Sequence, residues 1–423
     1  MPALRVFVAT TLALALAGLA CREAEPPPAA GPMATPAATP KPPATAAVSS
    51  PAGAGSFAPR LASAPDGAVF MSWLERRDST RHALRIARLE GSRWSAPRTI
   101  VEGDSIFANW ADVPALLALD RDRVVAAWMW KSGAGPYAYD VRIARSTDGG
   151  ATWSRPVIPH RDRTATEHGF VSLLPAAGSA VRAVWLDGRN AASAAGPDHG
   201  DQGPWDMTLR TAVIEADGRL GDEREIDARV CECCPTAAAS GAAGDLVAYR
   251  DRDPAELRDI GLLTRSSKGW GAPAFPHRDG WKIAGCPVNG PALDARGSRA
   301  ALAWFAGSEP ARVQVALSSD GGRTWGKAVR VDDGDPEGRV GVALLDDGTA
   351  IVTWLERAGE EVRVRARRVS PAGVAGEALT VAQTRGGRAS GVPRILRAGD
   401  RFLVAWTDPG EPWRIGVSSL PLR

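Results

Sequence analysis

The sequence predicts an all-β chain, a β-propeller of four-stranded blades, with seven blades favoured and six as the alternative. Three observations carry this. A unit recurs along the chain: a short apolar strand, a Gly- or Asp-bearing turn, then a run of small and β-branched residues ending in an aromatic. The closing aromatics are Trp73, Trp128, Trp185, Tyr249, Trp304, Trp354 and Trp406, at intervals of 55, 57, 64, 55, 50 and 52 residues, which is the period of propeller blades. The pattern Ser-x-Asp-x-Gly-x-Thr-Trp occurs twice, at residues 146–153 and 318–325. Helical periodicity is absent from residue 57 onward.

Taken in order, residues 1–20 read as a secretion signal. Arg5 supplies the positive start, residues 6–19 are almost wholly apolar, and Gly18-Leu19-Ala20 precede Cys21. This resembles the lipobox of bacterial lipoproteins and implies lipidation of Cys21. Residues 21–56 form a Pro/Ala-rich tether with too few apolar side chains to offset the entropy of ordering. Residues 57–423 make the propeller. The expected protein is a monomeric head in the bacterial cell envelope, periplasmic or on the outer-membrane surface, touching the membrane only through its lipid. Lys plus Arg number 51 against 48 Asp plus Glu, a balance that gives no reason to expect nucleic acid as a partner. The seventh unit, from Val392, has room for three strands. The missing outer strand is expected from residues near Val48 to Phe57, zipping the ring shut.

In the two eight-residue matches, Asp148 and Asp320 are expected to accept turn amides, the glycines to adopt positive φ, and Trp153 and Trp325 to fold back as apolar plugs. These turns resemble the Asp-box (BNR repeat) of sialidases, and weaker copies lie at residues 90–94 and 266–270. The resemblance covers residue 57 to the C-terminus. It implies six blades, three arginines clamping a substrate carboxylate, an Asp general acid, and a Tyr nucleophile activated by a Glu. Here Arg60 follows Pro59 where the family's first arginine precedes its proline. No Tyr follows Tyr249, and Tyr249 sits at a closing-aromatic position. The resemblance therefore speaks for the fold, with an ordinary sialidase mechanism disfavoured.

In a propeller the loops after the second strand and those between blades open on one face, and almost every polar insertion belongs to that set. These loops carry the candidates for binding a glycan or another polar ligand: Trp110, Tyr139, Arg189, Asn190, Trp205, Arg250, Arg252 and Trp281, the tryptophans as sugar-stacking surfaces. The arginines could equally pair with Asp187, Asp251 and Asp253. Asp112, Glu167, His168 and Asp187 are the candidates for acid–base work in a divergent glycoside hydrolase. Cys231, Cys233, Cys234 and Cys286 are expected to form disulfides, Cys286 tying its loop to the other. No cofactor is favoured. The alternative for the cysteines is a copper or zinc site, or a redox protein, since thiolates suit those ions.

Overall fold

The computed structural model describes residues 45–190 and 206–422. Cys21 and Trp205 lie outside the described residues, as do the signal and most of the tether. The described chain forms seven antiparallel sheets, one per unit, arranged as a seven-bladed propeller. Each closing aromatic lies on the second strand of its blade, as the repeat predicts: Trp73 on Val69–Arg76, Trp185 on Val181–Asp187, Tyr249 on Gly244–Arg250 and Trp354 on Ala350–Ala358, for instance. These four side chains are fully buried. They fill the wedges between blades, as Trp73 and Met71 of blade 1 do against Leu403, Ala405 and Val417 of blade 7. Alternation puts one face of each strand toward each neighbouring blade, so both faces read apolar.

Blade 7 consists of Arg394–Ala398, Arg401–Asp408, Arg414–Pro421 and the N-terminal strand Ala46–Val48, paired as Ala46↔Ser419 and Val48↔Val417. The expected closure by the N-terminus is present, and it lies a few residues earlier than the 48–57 stretch. Residues 56–63 instead form the inner strand of blade 1.

Blade 2 departs from the four-strand expectation. It has Ala115–Ala118, Val124–Lys131 and Tyr139–Ser146, and its outer edge is reduced to one bridge, Ile143↔Val157. Pro156 and Pro159 flank Val157 and have no amide hydrogen to donate.

The two long turns behave as their chemistry requires. Asp148 Oδ1 accepts from Ser146 Oγ and from the amides of Ala151 and Thr152, its Oδ2 from Thr152 Oγ1, and Trp153 Nε1 returns to Gly150 O. Asp320, Thr324 and Trp325 repeat the arrangement in blade 5. These hydrogen bonds hold the Asp148 carboxyl at about 2.

Candidate functional site

Repetition separates scaffold from site on the loop-bearing face. The inner strands of blades 1, 3 and 6 each carry a bulge at one place, with Ala58, Phe170 and Arg339 at φ 54°, 54° and 55°. Each bulged amide is capped by a side chain from elsewhere. Ala58 N donates to Thr407 Oγ1 (3.1 Å), Phe170 N to Asp112 Oδ1 (2.7 Å) and Arg339 N to Asn289 Oδ1 (2.7 Å). Asp112 therefore does in blade 3 what Asn289 does in blade 6. It is fully buried, and burial pushes its pKa well above the usual carboxylate range. Gly169 makes room for it, since a Cβ there would lie 1.9 Å from Asp112 Oδ2.

Asp187 is likewise a repeat feature. Its Oδ2 accepts from Trp185 Nε1 at 2.8 Å, as Glu356 Oε2 accepts from Trp354 Nε1 at 3.0 Å. Arg189 grips Asp187 through Nε (2.7 Å) and Nη2 (2.8 Å) and also reaches Glu223 Oε1 (3.3 Å). The salt-bridge alternative for Arg189 is thus the one realised. His168 is buried, stacked on His160 with centroids 3.8 Å apart, and its Nε2 lies 3.1 Å from Asp162 Oδ2. Burial opposes charge on His168, but Asp162 and Asp187 outweigh it and raise its pKa.

Glu167 differs from these. It is only partly buried, and its Oε1 accepts from the Tyr139 hydroxyl at 2.6 Å. Burial, opposed by that hydrogen bond and aided by the charge of Glu232, raises its pKa to about 7. Tyr139 itself is enclosed, stacked on Phe107 with centroids 4.1 Å apart, and burial with the charges of Glu167 and Asp112 keeps its pKa well above 10. Expected as a ligand contact, it is instead a neutral donor beneath Glu167.

Sequence reasoning missed a second such acid. Asp251 stands two residues after its closing aromatic, as Asp187 and Glu356 do. In blade 4 that aromatic is Tyr249, whose hydroxyl donates to Asp227 instead. Asp251 is left without the indole donor of its repeat-mates, and burial and the charge of Asp227 raise its pKa to about 7.

The remaining candidates scatter in role. Arg250 is 2% exposed and donates to the carbonyls of Asn289 (2.9 Å), Arg258 (2.6 Å) and Phe305 (2.8 Å), a packing arrangement in place of the expected ligand contact. Trp281 is buried under the Arg250 guanidinium, 4.8 Å from its ring centroid, which removes the expected stacking surface. One face of half-buried Trp110 is taken by Arg339, also at 4.8 Å. Arg252 pairs with Glu256 at 2.8 Å and reaches Glu232 at 3.6 Å. Asn190 is exposed.

Cys231, Cys233, Cys234 and Cys286 are not joined by a disulfide in this structure. Cys231 Sγ lies 3.3 Å from Cys234 Sγ and 3.8 Å from Cys233 Sγ, and Cys286 Sγ lies 3.6 Å from Glu232 Oε1. Arg258, buried, places Nη1 3.1 Å from both Cys231 Sγ and Glu232 Oε2.

No family model and no curated protein matches the chain. Solved structures do. A protein of unknown function from Dyadobacter fermentans aligns with 90% of this chain and 98% of its own at 13% identity, with a TM-score of 0.51. An ulvan lyase, a polysaccharide lyase solved bound to -[GlcA(1-4)Rha3S]-, aligns with 88% of this chain and 94% of its own at 10% identity and a TM-score of 0.53. A Hadza microbial sialidase aligns with 71% of this chain and 63% of its own at 15% identity, with a TM-score of 0.45. Such identities speak of architecture alone, and by architecture the chain is a seven-bladed β-propeller.

Proposed function

We propose that the protein is a cell-envelope lipoprotein, anchored through Cys21, whose loop-bearing face in blades 3 and 4 binds a glycan. The observation that carries this is the pair Glu167 and Asp251. They are the partly buried acids of that face held at about 7, whereas Asp112 and Asp187 are occupied in repeat-wide scaffold roles. Acids that keep a proton at neutral pH can both donate to and accept from sugar hydroxyls. The fold is compatible with such a ligand, since the ulvan lyase that shares it holds an oligosaccharide.

The pKa of Glu167 also favours a second reading, a glycoside hydrolase in which Glu167 is the proton donor, because an acid tuned to operating pH is what glycosidic oxygen protonation requires. In it the Tyr139 hydroxyl, donating to Glu167 Oε1 at 2.6 Å, orients that carboxyl.

Glycan-array binding and product release from plant, algal and sialylated glycans, each with the wild type, Glu167→Gln and Asp251→Asn, test both readings. Binding without turnover, weakened about tenfold or more in the variants, supports the first. Turnover lost in Glu167→Gln with binding kept supports the second. A protein that binds no glycan, or variants indistinguishable from wild type, would overturn the assignment.

A further inference from the structure

The cysteine cluster is independent of the glycan reading. Cys231, Cys233 and Cys234 share the loop between blades 3 and 4, and their sulfurs all lie within 4.8 Å of one another. The spacings of 3.3 and 3.8 Å can be compared with two chemistries. A disulfide needs sulfurs about 2 Å apart. Four thiolates at about 2.3 Å around a tetrahedral ion stand about 3.8 Å from each other. The observed triangle is close to the second and open by more than an ångström for the first.

The fourth side is approached from the next loop. The 286–291 loop is pressed against the cysteine loop: Asn289 N points to Cys234 Sγ at 3.4 Å, and a Cβ on Gly290 would fall 2.0 Å from Pro235 O. Cys286 begins that loop just outside the triangle of the other three sulfurs, and Glu232 lies between the loops with one oxygen 3.6 Å from Cys286 Sγ and the other 3.1 Å from Arg258 Nη1. Arg258 is the outer partner such a centre needs. It is 1% exposed, touches Cys231 Sγ at 3.1 Å and is itself fixed by Ile283 O (3.0 Å) and Glu256 Oε2 (3.1 Å). A buried guanidinium on a ligating sulfur offsets the negative charge that three or four thiolates leave around a mono- or divalent ion.

We propose that Cys231, Cys233 and Cys234, with Cys286 as the fourth ligand, bind one soft closed-shell metal cation, Zn2+ or Cu+, through their sulfurs. The ion clamps the blade 3–4 loop to the blade 4–5 loop. Each thiol that binds loses its proton to solvent and gives its electron pair to the metal, with no change of oxidation state.

The full-length protein, purified under reducing, oxygen-free conditions, is assayed for bound metal and free thiols, then stripped and titrated separately with Zn2+, with Cu+ and with Co2+ as a coloured substitute for Zn2+. About one equivalent of metal per chain is expected, with an intense sulfur-to-cobalt charge-transfer absorption. Competition with a Zn2+ or a Cu+ chelator decides which ion is preferred. Cys233→Ser, at a half-buried position, should lose the cobalt absorption and at least tenfold in affinity. Cys286→Ser, at an exposed position and so harmless to the apo fold, should weaken binding at least tenfold with the Tm of the apo protein unchanged. A fully reduced chain that takes up none of the three ions overturns the proposal. So does a Cys286→Ser or Cys233→Ser protein that binds as tightly as wild type, or a Cys231–Cys234 disulfide whose reduction restores no metal binding.

Discussion

A carboxyl group that keeps its proton to about pH 7 in the folded state, when the unfolded chain releases it near 4.3, makes stability depend on pH in a defined direction. Between those values the native state binds more protons than the unfolded one. Stability is therefore greatest at the acid end of this window and falls as pH rises through it. For Glu167 the loss amounts to at most about 4 kcal/mol, about 1.4 kcal/mol for each pH unit between those values. Urea denaturation of the wild type at pH 5 and pH 7.5, set against Glu167→Gln, should show a clearly smaller pH difference in the variant; equal differences would mean that Glu167 titrates normally. Tyr139→Phe removes the hydrogen bond that lowers the Glu167 pKa, so the carboxyl titration followed by infrared absorption or NMR should move further above 7. Gly169→Ala drives a methyl into Asp112 and should cost about 3 kcal/mol in denaturant titrations. A neutral outcome would mean that the bulge relaxes freely.

At the scale of elements, the same small solution recurs in different blades. Asn289→Ala leaves the Arg339 amide without its acceptor, an orphaned buried donor that costs about 1–3 kcal/mol. Asp148→Ala and Asp320→Ala break equivalent turns in blades 2 and 5, which share no partners. Their destabilisations should add to within about 0.5 kcal/mol in the double variant, and a larger deviation would mean that the blades are coupled through the ring. The turns and the aromatic strands were legible in the sequence because local chemistry fixes them: an Asp before two glycines, a Trp at the end of an apolar run. The bulge caps were not, because Asp112 meets Phe170 and Asn289 meets Arg339 across 58 and 50 residues of chain. One signal was present and unread. An acid stands two residues after the closing aromatic at Glu75, Asp187, Asp251, Glu356 and Asp408. That recurrence marks Asp187 as scaffold and draws the eye to Asp251, where the aromatic is a tyrosine.

For the whole molecule, periodicity favoured seven blades over six and placed the polar loops on one face, while the burial of individual side chains stayed hidden; the seven sheets decide the number. Arg250 and Trp281 look like ligand contacts on a loop and are packed against each other. A one-letter code does not say which loop residues fold inward. The N-terminal strand belongs to this scale as well. It seals the ring over a sequence separation of 372 residues, where Ser418 Oγ donates to Ala46 O. Removing residues 1–49 should lower the Tm and speed amide exchange first in Arg414–Pro421, and an unchanged exchange pattern would show that the ring holds without it. This latch makes the first part of the head to be synthesised the last to find its place. Six blades can assemble as they emerge, yet the first residues must wait, unpaired, until the last strand exists. Ring closure is thus a late step of high contact order, during which two strand edges stay open to other chains, so the hazard in making this protein is concentrated at the completion of blade 7.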